Sequence, residues 1–340
     1  MSPREYDESD ARVRPSRSTR PRSKDRPTQS GALSALVTTV DRGRQTCISD
    51  DGVIITAMRA RELGPKSVVV GDRVSIVGDV SGHEGTLARI VAVNERRNSL
   101  SRTVDDSAQV ERTIVANVDQ LVIVVAAVNP EPRRGLIDRF LVSAFTEGIT
   151  PKLVITKTDL GEVPSFLAEY EKLDVEILHT AIKSDSRQSD LDALHHMLAG
   201  KISVLVGHSG VGKSTLINAL VPEADRLTGD VNASTGRGRH TSSSAIALPL
   251  ASNDGWIIDT PGIRAFGLSH IDVNRIVDAF TDLSLVAASC LSNCSHAESS
   301  CKLDAWAAPN GVVDPERMAR LTSLRSLLSV KEQAVITPED

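Results

Sequence analysis

Aromatic side chains are scarce in this chain of 340 residues: five Phe, two Tyr and two Trp, or 3%. Between Leu33 and Arg97 there is none. That absence excludes a nucleic-acid surface built on stacked bases in this stretch. Cysteine is nearly missing too, with four residues, three of them crowded between positions 290 and 301. A disulfide framework is thereby excluded, and the crowding points to a metal instead. No apolar run is long enough to cross a bilayer and no signal-peptide pattern opens the chain, so the expectation is a cytoplasmic protein with no membrane partner. The net charge of −5 is modest but uneven. Seven basic residues stand against one acidic, Asp25, between Ala11 and Arg26, mixed with Pro and Ser. Residues 1–32 therefore read as a disordered basic tail, which either holds RNA phosphates or an acidic surface, or serves solubility alone.

What the chain does carry is a phosphate loop. Gly207-His208-Ser209-Gly210-Val211-Gly212-Lys213-Ser214 fits Gly-x4-Gly-Lys-Ser. An apolar, β-branched run, Lys201–Val206, precedes it, and a helical stretch through Thr215 to Leu220 follows. In that setting the glycines let backbone N–H groups wrap phosphates at a helix N-terminus. Lys213 reaches the β and γ phosphates, and the Ser214 hydroxyl takes one Mg²⁺ position. A chance match in a Gly-rich turn would lack the flanking strand and helix.

Asp259-Thr-Pro-Gly262 ends a second buried strand, Gly255–Asp259. Asp259 at the carboxyl edge of a sheet can hold Mg²⁺ directly or through water, and Gly262 leaves an N–H free for the γ-phosphate. A plain β-turn is the competing reading. Gly236-Arg-Gly-Arg-His240-Thr241 supplies a switch candidate, with Thr241 as the second Mg²⁺ hydroxyl.

Thr156-Lys157-Thr158-Asp159 follows the apolar strand Lys152–Ile155. Asp159 would accept from guanine N1 and the 2-amino group, which adenine cannot supply. Lys157 would lie along the base plane, and Thr180-Ala181 could back the guanine. Most guanine-reading motifs begin with Asn; Thr156 gives up an amide that helps tie the loop, so weaker nucleotide affinity is expected. This motif precedes the phosphate loop, whereas in an ordinary small GTPase it follows the switches. A parallel sheet tolerates such rotation, because each strand's place depends on its neighbours.

Residues 33–100 show short β runs at 35–40, 52–57, 73–77 and 86–93 broken by turn signals, which predicts a small barrel of OB-fold type. It either binds RNA through Arg42, Arg44, Arg59, Arg61, Arg96 and Arg97 or is purely structural. Arg97–Arg112 is polar and aperiodic and reads as a linker. The strand-like run 113–127 opens the nucleotide domain, 113–270, where strand and helix alternate in a doubly wound α/β pattern. A small domain, 271–330, and a tail, 331–340, complete the chain.

That last domain contains Cys290-x3-Cys294-x-His296-x4-Cys301. Three thiolates and an imidazole match a structural Zn²⁺ site, closed to substrate; the spacing departs from the commoner Cys-x2-Cys knuckle, and His296 as a plain surface residue is the competing reading. Cys47, alone in a barrel strand, reads as a small core residue. Asp314 and Pro315 can start a helix with Met318, Leu321, Leu324 and Leu328 on its apolar face.

The assembly of an aromatic-poor barrel, a circularly permuted P-loop GTPase domain and a C-terminal Cys/His knuckle resembles the ribosome small subunit-dependent GTPase A family. The most specific stretches are Val115–Asp119, Gly236–Thr241, Asp259–Phe266 and Ala279–Leu283. The resemblance implies a factor in late maturation of the small (30S) ribosomal subunit that binds its rRNA, hydrolyses GTP to GDP and is stimulated by that particle. The expected chain is a monomer. An RNA-binding scaffold holding nucleotide without turnover, and an ATP-using enzyme, are the alternatives; the Mg²⁺ groups argue against the first and Asp159 against the second. Ras-like GTPases place a Gln after the switch glycine, but here Ile263 stands there and cannot orient water. His240, on a Gly-rich loop, is the candidate to replace it, so slow hydrolysis by the isolated chain is expected.

Overall fold

A computed structural model of the chain describes residues 31–335 except 42, 65–66, 106–107, 174, 222–244, 253, 261–272, 292–293 and 298–300. Met1–Ala32 and Leu33–Asp340 are separate units, and every element below belongs to the second. Its first strands are β1 (Leu33–Asp41), β2 (Arg44–Ser49), β3 (Ile54–Arg59), β4 (Arg73–Gly78) and β5 (Ala88–Val93). They pair in the order β1-β2-β3-β5-β4, and β4 returns to β1 with Leu33 opposite Ile76, which closes a five-stranded barrel. Its interior is filled by small aliphatic groups such as Val37, Ile55, Val74, Ile76 and Ile90. Cys47 lies among them fully buried, and burial pushes its thiol up to about 12. Strand β2 shows in the sequence only as the barrel strand around Cys47, without bounds, because its inward positions are Gln45, Cys47 and Ser49, which give no apolar alternation.

The expected linker is also structured. β6 (Ser99–Asp105) and β7 (Ala108–Ala116) form an antiparallel ribbon. A two-stranded ribbon buries little, so its polar sequence shows no periodic signal; Leu100 and Val115, paired across it, are its buried anchors. The run expected as one strand from 113 to 127 is broken at Asn117, whose φ is 56°. Asn117 accepts a hydrogen bond from the Arg97 amide (2.9 Å) and donates one to the Gly71 carbonyl (2.9 Å). Barrel and nucleotide domain are thus stitched where the chain turns.

β8 (Gln120–Ala126), α1 (Arg134–Thr146), β9 (Thr150–Thr156), β10 (Glu176–His179), α2 (Arg187–Leu198), β11 (Ile202–Val206), α3 (Lys213–Leu220), β12 (Ile246–Pro249) and β13 (Trp256–Asp259) follow. Strands β10-β9-β8-β11-β13 are parallel, and β12 runs antiparallel at the edge. β12 also meets β1 of the barrel through Thr39 opposite Ile246, joining barrel and nucleotide sheet in one eleven-stranded sheet. Every residue of β8 is buried, Ile123 and Val125 toward α1 and Val122 and Val124 toward α2 and α3. This is the near-continuous apolar signature of a strand covered on both faces.

Four helices end the described chain: α4 (Val273–Asp278), α5 (Thr281–Ala287), α6 (Lys302–Ala307) and α7 (Pro315–Val335). Asp314 Oδ1 accepts from the amides of Glu316 and Arg317 at 3.0 and 3.1 Å, capping α7. Leu321, Leu324 and Leu328 pack with Phe280, Leu283 and Leu303 and with Val142 of α1.

Candidate functional site

The chain adds β9 and β10 on one side of β8, then crosses to place β11 on the other. Ligands of open parallel sheets bind at such a switch point, beyond the carboxyl ends of the strands. The phosphate-loop motif begins there, directly after Val206. Gly207 has φ 146°, and a Cβ on it would lie 2.2 Å from the Val124 carbonyl oxygen of β8, so no side chain fits. Gly212, at φ 102°, makes the turn into α3 without a side-chain cap. The first amides of α3 are therefore free to meet an anion. His208, Ser209, Gly210, Ser214 and Thr215 are exposed, and Val211 is buried. The His208 imidazole Nδ1 bonds to the Ser209 carbonyl at 2.8 Å.

Lys213 donates from Nζ to the carbonyls of Gly207 (2.7 Å) and His208 (2.9 Å), folded over the loop it would share with phosphates. Burial lowers its pKa, opposed by the charge of Asp259. Asp259 ends β13 opposite Leu205 of β11. Burial raises its carboxyl, and Lys213 and the Thr260 amide pull it back. Two opposite charges, each partly desolvated, thus face one another beside the phosphate loop.

The guanine-reading candidate leaves β9 on the other side of β8. Thr156 is 5% exposed, and its hydroxyl donates to the Val211 carbonyl of the phosphate loop at 2.5 Å, with the Val125 carbonyl at 3.2 Å. The expected loss of a tie is therefore corrected. A side chain one atom shorter than Asn still spans the gap, because Gly212 packs directly against it. Lys157, at φ 58°, donates from Nζ to the Asn129 carbonyl, and Asp159 points to solvent. Thr180 is buried and accepts from the Thr158 amide (3.4 Å), so the two loops are linked. Asp190 of α2 holds the second loop through the Ala181 amide (2.6 Å), a contact with no sequence signal because it runs from the first turn of the helix back to the loop before it. His240, Thr241 and Gly262 lie outside the described residues, as does Ile263.

In the C-terminal helices, one ligand atom from each of Cys290, Cys294, His296 and Cys301 lies within 4.8 Å of the others. Cys290 Sγ and Cys301 Sγ are 3.8 Å apart, and His296 Nδ1 is 3.7 Å from Cys301 Sγ. The cluster can hold a metal ion. Burial, together with the neighbouring thiols, pushes Cys301 up to about 12. Sequence reasoning missed the support behind it. Arg325 of α7 donates to the His296 carbonyl (2.8 Å) and grips Asp304 through both terminal nitrogens (2.9 and 2.7 Å). Phe280 and Leu283 pack against α1 and α7.

A phosphate loop at the switch point of a parallel sheet, with the strand of the Thr-Lys-x-Asp loop ahead of it in the chain, defines a circularly permuted P-loop GTPase, a GTP-hydrolysing enzyme. The RsgA GTPase family model matches residues 93–269. The Small ribosomal subunit biogenesis GTPase RsgA of Alcanivorax borkumensis is 38% identical over 269 residues, spanning 78% of this chain and 74% of the relative. That of Gemmatimonas aurantiaca is 36% identical over 270 residues, spanning 78% and 86%. The crystal structure of YjeQ from Thermotoga maritima superposes with a TM-score of 0.63 at 27% identity, covering 87% of this chain and 98% of that one. YloQ, described as a circularly permuted GTPase, has the same fold with a TM-score of 0.64 at 21% identity, covering 93% and 100%. The chain belongs to the RsgA GTPase family.

Proposed function

We propose that this chain is a cytoplasmic, monomeric GTPase that assists late maturation of the small (30S) ribosomal subunit, binds its rRNA, and hydrolyses GTP slowly until the subunit stimulates it. The carrying observation is the joint placement of Gly207–Ser214, Asp259 and the Thr156 tether around one switch point. In this reading Gly207 through Thr215 cradle the phosphates, and Lys213 leaves the carbonyls of Gly207 and His208 for the β and γ oxygens. Asp159, with Thr156 and Lys157, reads guanine. Ser214 and Thr241, with Asp259 behind them, hold Mg²⁺, which supplies charge neutralisation at the transferring phosphoryl group. Gly262 meets the γ-phosphate, and His240 orients the attacking water. The aromatic-free barrel and the basic tail offer charge and shape to rRNA.

The metal in this reading is zinc, held by Cys290, Cys294, His296 and Cys301. Tetrahedral Zn–S bonds of about 2.3 Å put two sulfurs about 3.8 Å apart, and the 3.8 Å between Cys290 and Cys301 supports that assignment. With four protein ligands the site is structural. Turnover of GTP against ATP, with and without purified small subunits, tests the function. Equal rates for both nucleotides, or no acceleration by the subunit, would overturn it.

A further inference from the structure

We propose that the buried contact between Asp138 of α1 and Arg320 of α7 couples the nucleotide site to the metal-bearing helices, so that the two respond as one body. Asp138 is fully buried and accepts from Tyr170 Oη (3.1 Å) and Arg320 Nη1 (3.2 Å). Its second oxygen has no hydrogen-bond partner. Burial raises the Asp138 carboxyl, and the charge of Arg320, then Ser323 one turn along α7, pull it back. Arg320 is 8% exposed, stacks over the Phe280 ring at 4.2 Å, and holds Asp282 of α5 at 3.5 Å.

Stability alone does not account for this pair. Desolvating two charges costs several kcal/mol per ion, and apolar residues of similar volume usually hold such a seam as well or better. What a buried pair adds is intolerance of movement. A slide of about 1–2 Å between α1 and α7, the scale of helix shifts in switching proteins, would strip Arg320 from Asp138 and leave a charge buried and unpaired. Each helix also reaches toward a second site. On α1, Leu136, Ile137 and Phe140 line a cavity of about 330 Å³ whose other wall includes Gly207, His208 and Val211 of the phosphate loop. Ile137 is thus at the nucleotide side and Asp138, its neighbour, at the seam. On α7, Arg325 holds His296 and Asp304 at the metal cluster. Val206, which leads into the phosphate loop, shares one hydrophobic core with Leu136, Ile137 and Phe140 of α1, and the pair, α7 and the metal loop continue the series. The warrant for coupling is a seam that cannot slip, since spatial continuity alone would not suffice.

This inference rests on the reading that Gly207–Ser214 binds GTP, and hydrogen exchange separates the two. The full-length, metal-loaded chain is compared with and without a non-hydrolysable GTP analogue and Mg²⁺, alongside a double variant, Asp138→Leu with Arg320→Met. In the parent, nucleotide should slow exchange at the phosphate loop, at α1, and by about threefold or more in the 316–328 segment of α7. The double variant should keep protection at the phosphate loop and lose it in α7. If it does not fold, Arg320→Lys, which keeps the charge but not the planar fork, should show the same loss. Protection of the loop with α7 unmoved in the parent, or an unchanged α7 response in the folded variant, overturns the coupling alone. Absence of protection at the loop overturns the nucleotide assignment and the coupling with it.

Discussion

Thr156→Val isolates one hydrogen bond while keeping the shape of the side chain. The residue is 5% exposed and its hydroxyl donates at 2.5 Å to the Val211 carbonyl, itself on a buried residue. Valine leaves that carbonyl without its partner, which costs about 1–3 kcal/mol, or roughly 5- to 150-fold in an equilibrium constant. The cost divides between folding and nucleotide binding. Because the bond joins the proposed guanine-reading loop to the phosphate loop, a nucleotide touching both must order what the hydroxyl ordered before. The expected share in binding is about 1.4 kcal/mol, a tenfold weaker GDP affinity, with a lowered thermal midpoint beside it. Titration with a fluorescent GDP analogue and a thermal melt measure the two parts. Thr156→Ser retains the hydroxyl and should bind within about twofold of the parent, a change of under 0.5 kcal/mol. A valine variant that melts earlier yet binds GDP as tightly as the parent would refute the reasoning and leave Thr156 with a packing role only.

Asp159→Asn should weaken GTP binding and shift preference toward xanthine nucleotide, measured by competition titration; unchanged GTP affinity would reassign the base site. Gly207→Ala puts a methyl 2.2 Å from the Val124 carbonyl oxygen and should abolish nucleotide binding while lowering the melting midpoint; an alanine variant that binds normally would disprove the close approach of loop and strand. Elemental analysis should find one zinc per chain, and a chelator should melt the α6–α7 region by circular dichroism, because ligand-dense loops of this size depend on metal to fold. A metal-free chain with its helices intact would contradict this. His240→Ala should remove most of the subunit-stimulated turnover and leave GTP affinity nearly unchanged; a fully stimulated variant would show that another group orients the water.

Legibility in the sequence followed burial. β8, β9, β11 and β13 are covered on both faces, and their apolar runs announced them along with the phosphate loop each flanks or faces. β2 was legible only at Cys47 and its bounds were not, because Gln45, Cys47 and Ser49 form its inner face, and Gln45 is buried there without a hydrogen-bond partner for its amide. The β6–β7 ribbon was silent because its sequence is polar and aperiodic. The four ligands of the metal cluster were legible because cysteine is rare and they lie close in the chain. Arg325, Asp190 and the Asp138–Arg320 pair were not, since each acts across a distance in sequence that periodicity does not encode. Thr156 was legible as a position and misjudged as a contact: its tie depends on Gly212 lying beside it, a fact of tertiary packing.

The rotated strand order also fixes a sequence of events during synthesis. β8 leaves the ribosome about 80 residues before β11, a gap of roughly 4–16 s at ordinary elongation rates. Through that interval the half-sheet β8-β9-β10 has an unpaired edge on the side β11 will occupy, the kind of edge that invites wrong partners. β8 is apolar on both faces, so the gap exposes the stickiest strand of the domain. The Thr-Lys-x-Asp loop is made before the phosphate loop, and the insertion of β11 brings them together. A guanine nucleotide therefore cannot chaperone the first half of this domain; it can only reward the chain once residue 214 has emerged and the central strand is seated.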